Sequence, residues 1–222
     1  MTATVASRLI FADPGEAAGL AAFLGRLVRW EKNAAVRIQA GGGVAAVFAK
    51  PARFEVLAVR IGRLLEPLEL DITVSAGELL ERVEEERESV GVPAAVTGPS
   101  WAGLLPPRGG WREFARVPVD AVGSVAAAAV GEFRERVEKL PTGQRGREAL
   151  DGLAEEIWSR PLGDTGLPLR AAHAAHALGF LRGKEPAGLL ESGAWLRLRT
   201  PYGSVLVRRH GAAAGGLSVT PV

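Results

Sequence analysis

Apolar residues between positions 20 and 28 recur at helical spacing. Leu20, Phe23, Leu24, Leu27 and Val28 fall at intervals of one, three and four residues, which predicts one apolar stripe on a helix that ends near residue 31. The residues ahead of the stripe, Asp-Pro-Gly-Glu at 13–16, supply an N-cap carboxylate, a proline at the first helical position and a glutamate three residues after the cap. A short apolar strand at 5–11 precedes this predicted helix.

Three consecutive glycines, 41–43, separate two apolar runs at 35–40 and 44–50. A Gly-x-Gly sequence after a strand is also found in phosphate-binding loops, but such a loop must open a helix. Here the chain continues as a second strand that ends at Pro51. The pattern therefore favours a β-hairpin.

Two further apolar segments follow, and in the second of them apolar and polar side chains alternate. Residues 54–61 and 68–74 predict two more strands, and 75–78 (Ser-Ala-Gly-Glu) form a capping box that begins a helix predicted to reach about residue 88. Strand, helix, hairpin, two strands and helix, joined by short links, predict the α+β class. We expect residues 1–90 to form an antiparallel sheet domain with helices on one face.

The remainder divides into three parts. Residues 91–118 are rich in proline, glycine and tryptophan, which indicates a stiff, packed junction, because flexible linkers are rich in serine and glycine and poor in apolar residues. Residues 119–210 predict a small helical domain, with helices near 120–140, 144–159 and 168–181, that ends in a β-hairpin at 195–209. Residues 211–222 predict a loose tail.

The C-terminal hairpin carries arginines. Its turn, Thr-Pro-Tyr-Gly at 200–203, suits a type I turn. Residues 160–222 contain eight Lys/Arg against three Asp/Glu, so this end of the chain is basic. A basic hairpin after helices is typical of winged-helix proteins, whose wing contacts phosphate. The alternative is that the arginines only solubilise the hairpin. The candidate nucleic-acid-binding residues are Arg170, Arg182, Arg197, Arg199, Arg208 and Arg209.

The predicted helix at 168–181 is poor in side chains that read base edges. We therefore expect any nucleic-acid binding to be weak, non-specific and confined to residues after 160. The same helix carries His173 and His176, whose spacing suits two metal ligands. No second paired motif completes such a site, so we predict no metal and expect both histidines to be structural.

The sequence carries no recognisable nucleophile motif. There is no cysteine, which excludes disulfides, thiolate nucleophiles and Cys-ligated zinc, and there is no Gly-x-Ser-x-Gly elbow. We predict no catalytic residue and no cofactor. If the protein binds a small molecule, we expect the pocket at the junction, lined by Trp101, Trp111, His173 and His176.

Composition sets the broad class. With 47% hydrophobic and 23% charged residues, the chain is typical of a globular protein. Only four lysines and one asparagine accompany many alanines, glycines and arginines, which indicates a bacterial gene of high GC content. The first residues lack a signal-peptide pattern, and no uncharged run is long enough to cross a membrane. We therefore expect a cytoplasmic protein that does not enter the membrane.

These observations favour a non-catalytic binding, regulatory or assembly protein. Weak nucleic-acid binding through the basic C-terminal part is one alternative, and a small-molecule-binding protein or enzyme with a pocket at the junction is another. We expect a homodimer, or else binding to another protein. Self-association is predicted because small residues at 126–129 allow close helix packing and a sheet has edges that need cover.

Overall fold

The computed structural model describes residues 7–209 except Thr142 and Gln144. The predicted tail at 211–222 lies outside the described residues. The first half contains β1 (Arg8–Ile10), α1 (Glu16–Trp30), β2 (Ala35–Gly41), β3 (Val44–Ala49), β4 (Leu57–Arg63), β5 (Leu70–Ser75), α2 (Ala76–Glu81), β6 (Val83–Glu84) and β7 (Ser89–Gly91). The second contains β8 (Arg112–Val117), α3 (Val119–Lys139), α4 (Arg147–Trp158), α5 (Leu169–Ala177), β9 (Ala187–Ser192), β10 (Trp195–Thr200) and β11 (Gly203–Arg208).

One antiparallel sheet joins the two halves of the chain. Its eight strands lie in the order β5-β2-β3-β4-β11-β10-β9-β8. The halves meet where β4 pairs with β11, with Val59 opposite Ser204 and Leu57 opposite Leu206. On each side of this seam lies a three-stranded meander flanked by one further strand. The first half also forms a small three-stranded sheet, in the order β1-β7-β6. The predicted α+β class is confirmed.

Two local predictions in the first half are confirmed. Gly42 and Gly43 form the hairpin turn between β2 and β3, and both have positive φ angles that glycine adopts without strain. Ser75 caps α2, since its hydroxyl accepts the Glu78 backbone N–H at 3.3 Å. The capped helix is shorter than predicted, however, because it ends at Glu81 and the chain returns as β7 to pair with β1.

The start of α1 differs from the prediction. The helix begins at Glu16, after a left-handed Gly15, and Asp13 forms an ion pair with Arg63 instead of capping. The capping carboxylate comes from Glu88, which accepts the backbone N–H groups of Gly15 at 2.5 Å and Ala17 at 2.9 Å. A distant carboxylate can do this because the helix N-terminus attracts negative charge and has free N–H groups.

The sequence did not predict two strands of the second half. β8 lies in the segment predicted as junction, and β9 follows α5, which ends at Ala177 instead of continuing to 181. As a result, the C-terminal hairpin lies inside the large sheet, between β4 and β9, and is not an isolated wing. Both of its faces are buried, with Leu196 and Val205 on one side and Leu206 on the other.

The main core lies between the helices and one face of the large sheet, which we call the inner face. Helix α3 packs against α5, and its small residues Ala126 and Ala129 are buried. The close helix approach expected at 126–129 therefore takes place within the chain. This removes one of the two reasons for predicting self-association. Across the part of the chain that the structure describes, no helix has the length and apolar content needed to cross a membrane.

Candidate functional site

A long irregular segment, residues 93–111, crosses the outer face of the large sheet; we call it the strap. It begins beside β5, where the Val96 N–H donates to the Thr73 carbonyl at 2.9 Å. It then passes β2, where the Arg37 guanidinium donates to the Ala102 carbonyl. It reaches the end of β9, where the Ser192 hydroxyl donates to the Gly109 carbonyl at 3.4 Å, and continues as β8.

The strap covers a second, smaller core. Phe48, Leu57, Val59 and Leu206 are its buried residues, and they come from β3, β4 and β11. These side chains point away from the helices because neighbouring residues of a strand alternate between the two faces. The partly buried side chains that pack against them are Ala46, Trp101, Leu105, Trp111 and Trp195. Both tryptophans of the predicted junction thus pack on the sheet.

A cavity of about 290 Å³ remains between the strap and the sheet. Its floor is largely apolar, and Ile61 and Val44 at its side are 40% and 37% exposed. Its polar side chains are Gln39, Arg108 and Arg197. The remaining lining residues are Ala40, Gly41, Ala46, Phe48, Val59, Pro106, Pro107, Trp111 and Leu206.

Arg197, on β10, is the notable polar group of this cavity. Its Nε atom is buried without a hydrogen-bond partner, and the guanidinium makes no ion pair with any residue that the structure describes. The guanidinium carbon lies 5.5 Å from the centre of the Trp111 ring, a cation–π geometry. The Trp111 indole N–H donates to the Pro107 carbonyl at 3.0 Å, which fixes the ring.

Burial and the charge of Arg199 lower the pKa of Arg197 to about 10, so the side chain is still cationic at neutral pH. A charge that is removed from water and left without a counterion is unfavourable. An anion that enters the cavity would relieve this cost. Two residues predicted for different functions, Trp111 and Arg197, thus belong to one site.

The other predicted nucleic-acid residues do not form one free basic surface. Arg199 is paired with Glu113 at 2.9 Å, and Arg209 with Glu191 at 2.7 Å. Arg170 is only 8% exposed and is paired with Glu155 and Glu55. Arg182 donates to the Gly179 carbonyl and lies over the Tyr202 ring. Arg208 is exposed, opposite Trp195 on the neighbouring strand.

The four residues predicted to line a shared pocket are separated. Trp111 lines the cavity described above, and Trp101 lines a different groove. His173 lies between Trp158 and Phe54, with ring-centre distances of 4.2 Å and 4.9 Å. Burial, and to a lesser extent His176, lowers the pKa of His173 to about 4. His176 is exposed, since it lies on the solvent side of the last turn of α5.

A metal site requires several ligands close together. Among residues 7–209, leaving out the two undescribed positions, no group of three histidine, aspartate or glutamate side chains is placed to hold a metal ion. His173 is also poorly suited to ligation, because its ring is sandwiched by aromatic neighbours. The cavity beside Arg197 is therefore the best-defined candidate site.

Comparison with known proteins divides the chain at the strap. Residues 4–103 match a family model described as "Domain of unknown function (DUF8010)". Residues 106–212 match another, "Domain of unknown function (DUF8185)". No curated protein matches the chain. Among solved structures, the DNA polymerase sliding clamp from Caulobacter crescentus is similar, with 13% identity and a TM-score of 0.47 over 86% of this chain. The chain spans 63% of the length of that clamp.

Proposed function

We propose that this protein is a non-catalytic binding protein that holds an anionic group joined to an apolar body in the cavity beneath the strap. The observation that carries the proposal is Arg197, a partly buried cation with no counterion among the described residues, at the wall of an apolar cavity. Bacterial origin and a cytoplasmic location belong to the same proposal and are supported by composition alone.

The chemistry of the cavity favours such a ligand. A carboxylate or phosphate can accept two parallel hydrogen bonds from a guanidinium, and these bonds are stronger than bonds between neutral groups. The cation–π contact with Trp111 restrains the guanidinium, so less side-chain freedom remains to be lost on binding. The apolar part of the ligand would lie on Phe48, Val59 and Leu206.

The size of the cavity limits the ligand. A volume of about 290 Å³ lies at the lower end of the range for small-molecule pockets. It suits a compact ligand of roughly 10–15 non-hydrogen atoms, on the scale of pockets that enclose small molecules. Octanoate and octyl phosphate have this size, and each joins an unbranched alkyl chain of similar length to one anionic group, a carboxylate or a phosphate.

The test is calorimetric titration with octanoate, octyl phosphate and the uncharged control octanol. We expect at least one anion to bind, and the octanol affinity to be at least tenfold lower. Arg197→Leu should weaken the anion at least tenfold. Arg199→Leu is the matched control, because Arg199 lies two residues along the same strand but is already paired with Glu113. Equal losses in both variants, or equal binding of octanol, would refute the proposal.

Self-association and weak nucleic-acid binding remain predictions. For the dimer, the remaining support is the presence of two sheet edges, β5 and β8, of which the β5 edge is partly covered by the strap at Val96. For nucleic acid, the support is the basic charge after residue 160. The ion pairs of Arg199 and Arg209 reduce the free charge available to phosphate.

A further inference from the structure

A larger groove lies at the opposite end of β2 and β3 from the cavity beneath the strap. It has a volume of about 740 Å³ and is open to solvent. Its walls come from the end of α1, the start of β2, the loop after β3 and the first part of the strap. Trp101 contributes an aromatic wall, and most of the remaining lining is small side chains and backbone at 33–35, 49–52 and 96–99.

Three cations line this groove. Lys32 follows α1, Lys50 follows β3, and Arg53 lies in the loop 51–55. None of them forms an ion pair or a side-chain hydrogen bond with a residue that the structure describes. Two carboxylates also line the groove, Glu31 and Glu55, but Glu55 is paired with Arg170 on α5. The groove therefore has an excess of positive charge.

The loop that carries Arg53 has an unusual backbone. Arg53 and Glu55 both have left-handed φ angles, 71° and 52°, which are unfavourable for residues with a Cβ atom. The loop is held in this shape from both sides. Phe54 packs against Trp30 at 5.2 Å and against His173 at 4.9 Å, and Glu55 is bound to Arg170. Strained backbone that is held in place by its surroundings is enriched at ligand sites.

We propose that this groove binds a small ligand with several phosphate groups and a planar ring, the chemistry of a nucleoside polyphosphate. Lysine ammonium groups on separate elements suit a chain of phosphates, which spreads its negative charges over several ångströms. The indole of Trp101 offers a surface on which a planar base can stack. The proposal does not depend on the cavity beneath the strap, because the lining residues of the two sites differ.

Calorimetric titration of the full chain at low ionic strength, without divalent cations, tests this site. We expect ATP to bind, inorganic triphosphate to bind more weakly, and adenosine to bind at least tenfold more weakly than ATP. If triphosphate binds as tightly as ATP, the ring has no role and the ligand class is wrong. If adenosine binds as tightly as ATP, the phosphate site is refuted.

The four lysines of the chain provide a matched pair of variants. Lys32→Ala with Lys50→Ala removes two charges from the groove and should weaken ATP binding at least tenfold. Lys139→Ala with Lys184→Ala removes two charges elsewhere and should leave the affinity within about twofold. Equal weakening in the two double variants would mean that ATP affinity depends only on the net charge of the protein, which would overturn the proposal.

Arg53→Gly distinguishes the effect of backbone strain at residue 53 on stability from the effect of the guanidinium on ATP binding. Glycine adopts a left-handed φ angle without strain, so the melting temperature should stay the same or rise. Loss of the guanidinium should nevertheless weaken ATP binding by about threefold or more. A variant with unchanged ATP affinity would show that Arg53 and its strained loop take no part in binding.

Discussion

Two arginines lie on opposite faces of the large sheet: Arg60 on β4 is buried, and Arg197 on β10 is partly buried. Arg60 is 7% exposed on the inner face; its guanidinium donates to the Tyr202 carbonyl at 2.6 Å and to Glu16 at 3.0 Å. Arg197 lies beneath the strap on the outer face, with Trp111 over it and no counterion among the described residues. One guanidinium therefore links α1, β4 and the C-terminal hairpin. The other remains available to a ligand.

Arg60→Ala should have the largest effect on stability. It leaves Glu16 and the Tyr202 carbonyl without their partner and opens space in the core, so we expect the free energy of unfolding to fall by about 3–5 kcal/mol. Urea denaturation measures the change. Arg197→Leu should change the same quantity by less than about 1 kcal/mol, because no ion pair is broken. If the two variants lost equal stability, the distinction between the two arginines would be wrong.

Gly19→Ala, on α1, tests how firmly Arg60 is held in place. A Cβ atom at this position would lie 2.1 Å from Arg60 Nη2, so the guanidinium would have to move from its place beside Glu16. We expect a loss of about 1–3 kcal/mol in the free energy of unfolding. Gly25→Ala on the same helix meets no atom within 4 Å and should gain up to about 1 kcal/mol. A gain in both variants would show that Arg60 moves without cost.

His173 avoids a buried charge in another way, by remaining neutral. Its pKa is about 4 in the folded chain and near 6.5 when unfolded, so the unfolded chain binds more protons between these values. The contribution of neutral His173 to the free energy of unfolding should be fully present above about pH 6.5 and should be lost as the pH falls towards 4. We expect a loss of about 1–2 kcal/mol after solvent screening is allowed for. His173→Phe, which keeps an aromatic ring, should remove this part of the pH dependence in denaturation curves.

The smallest expected effect concerns nucleic acid. Neutralisation of about four phosphates would give a slope near −4 in a plot of log affinity against log salt concentration, so binding should fade between low and physiological salt. Replacing Arg197, Arg199, Arg208 and Arg209 with alanine should abolish the binding, and scrambled duplexes should compete equally. Fluorescence anisotropy measures both. Tight, sequence-selective binding at 200 mM salt would contradict the prediction of weak, non-specific binding and the view that the helix at 168–181 cannot read base edges.

Local features of the fold could be predicted from sequence, whereas long-range features could not. The capping box at Ser75 and the glycine turn at 42–43 depend on neighbouring residues, and both were predicted correctly. The cap of α1 is supplied by Glu88, which is 73 residues from Gly15. The strand β8 forms because β9 lies beside it, and its own residues carry weak strand periodicity. Pairing of this kind depends on the whole fold.

The sequence indicates two residues of the candidate site, Trp111 and Arg197, but does not indicate that they lie together. Trp111 stands in a segment rich in proline and glycine, and Arg197 lies on a basic hairpin, so the sequence points to each of them for a different reason. Nothing in the residues near either one indicates that they share a cavity, since the contact forms only when the strap crosses the sheet. The separation of His173 from Trp101 and Trp111 is likewise a property of the helix packing, because α5 lies on the inner face.

The seam between β4 and β11 has a consequence for synthesis of the protein. The hydrogen bond from Arg60 to the Tyr202 carbonyl can form only after Tyr202, 142 residues further along the chain, has been synthesised. At a translation rate of about 5–20 residues per second, roughly 7–30 seconds pass before the partner strand is made. During this interval the edge of β4 has unpaired backbone groups, and the first half resembles an open sheet that can pair with other nascent chains. We therefore expect C-terminal truncation before β11 to yield aggregates, and chaperones that bind nascent chains to have their largest effect on the first half.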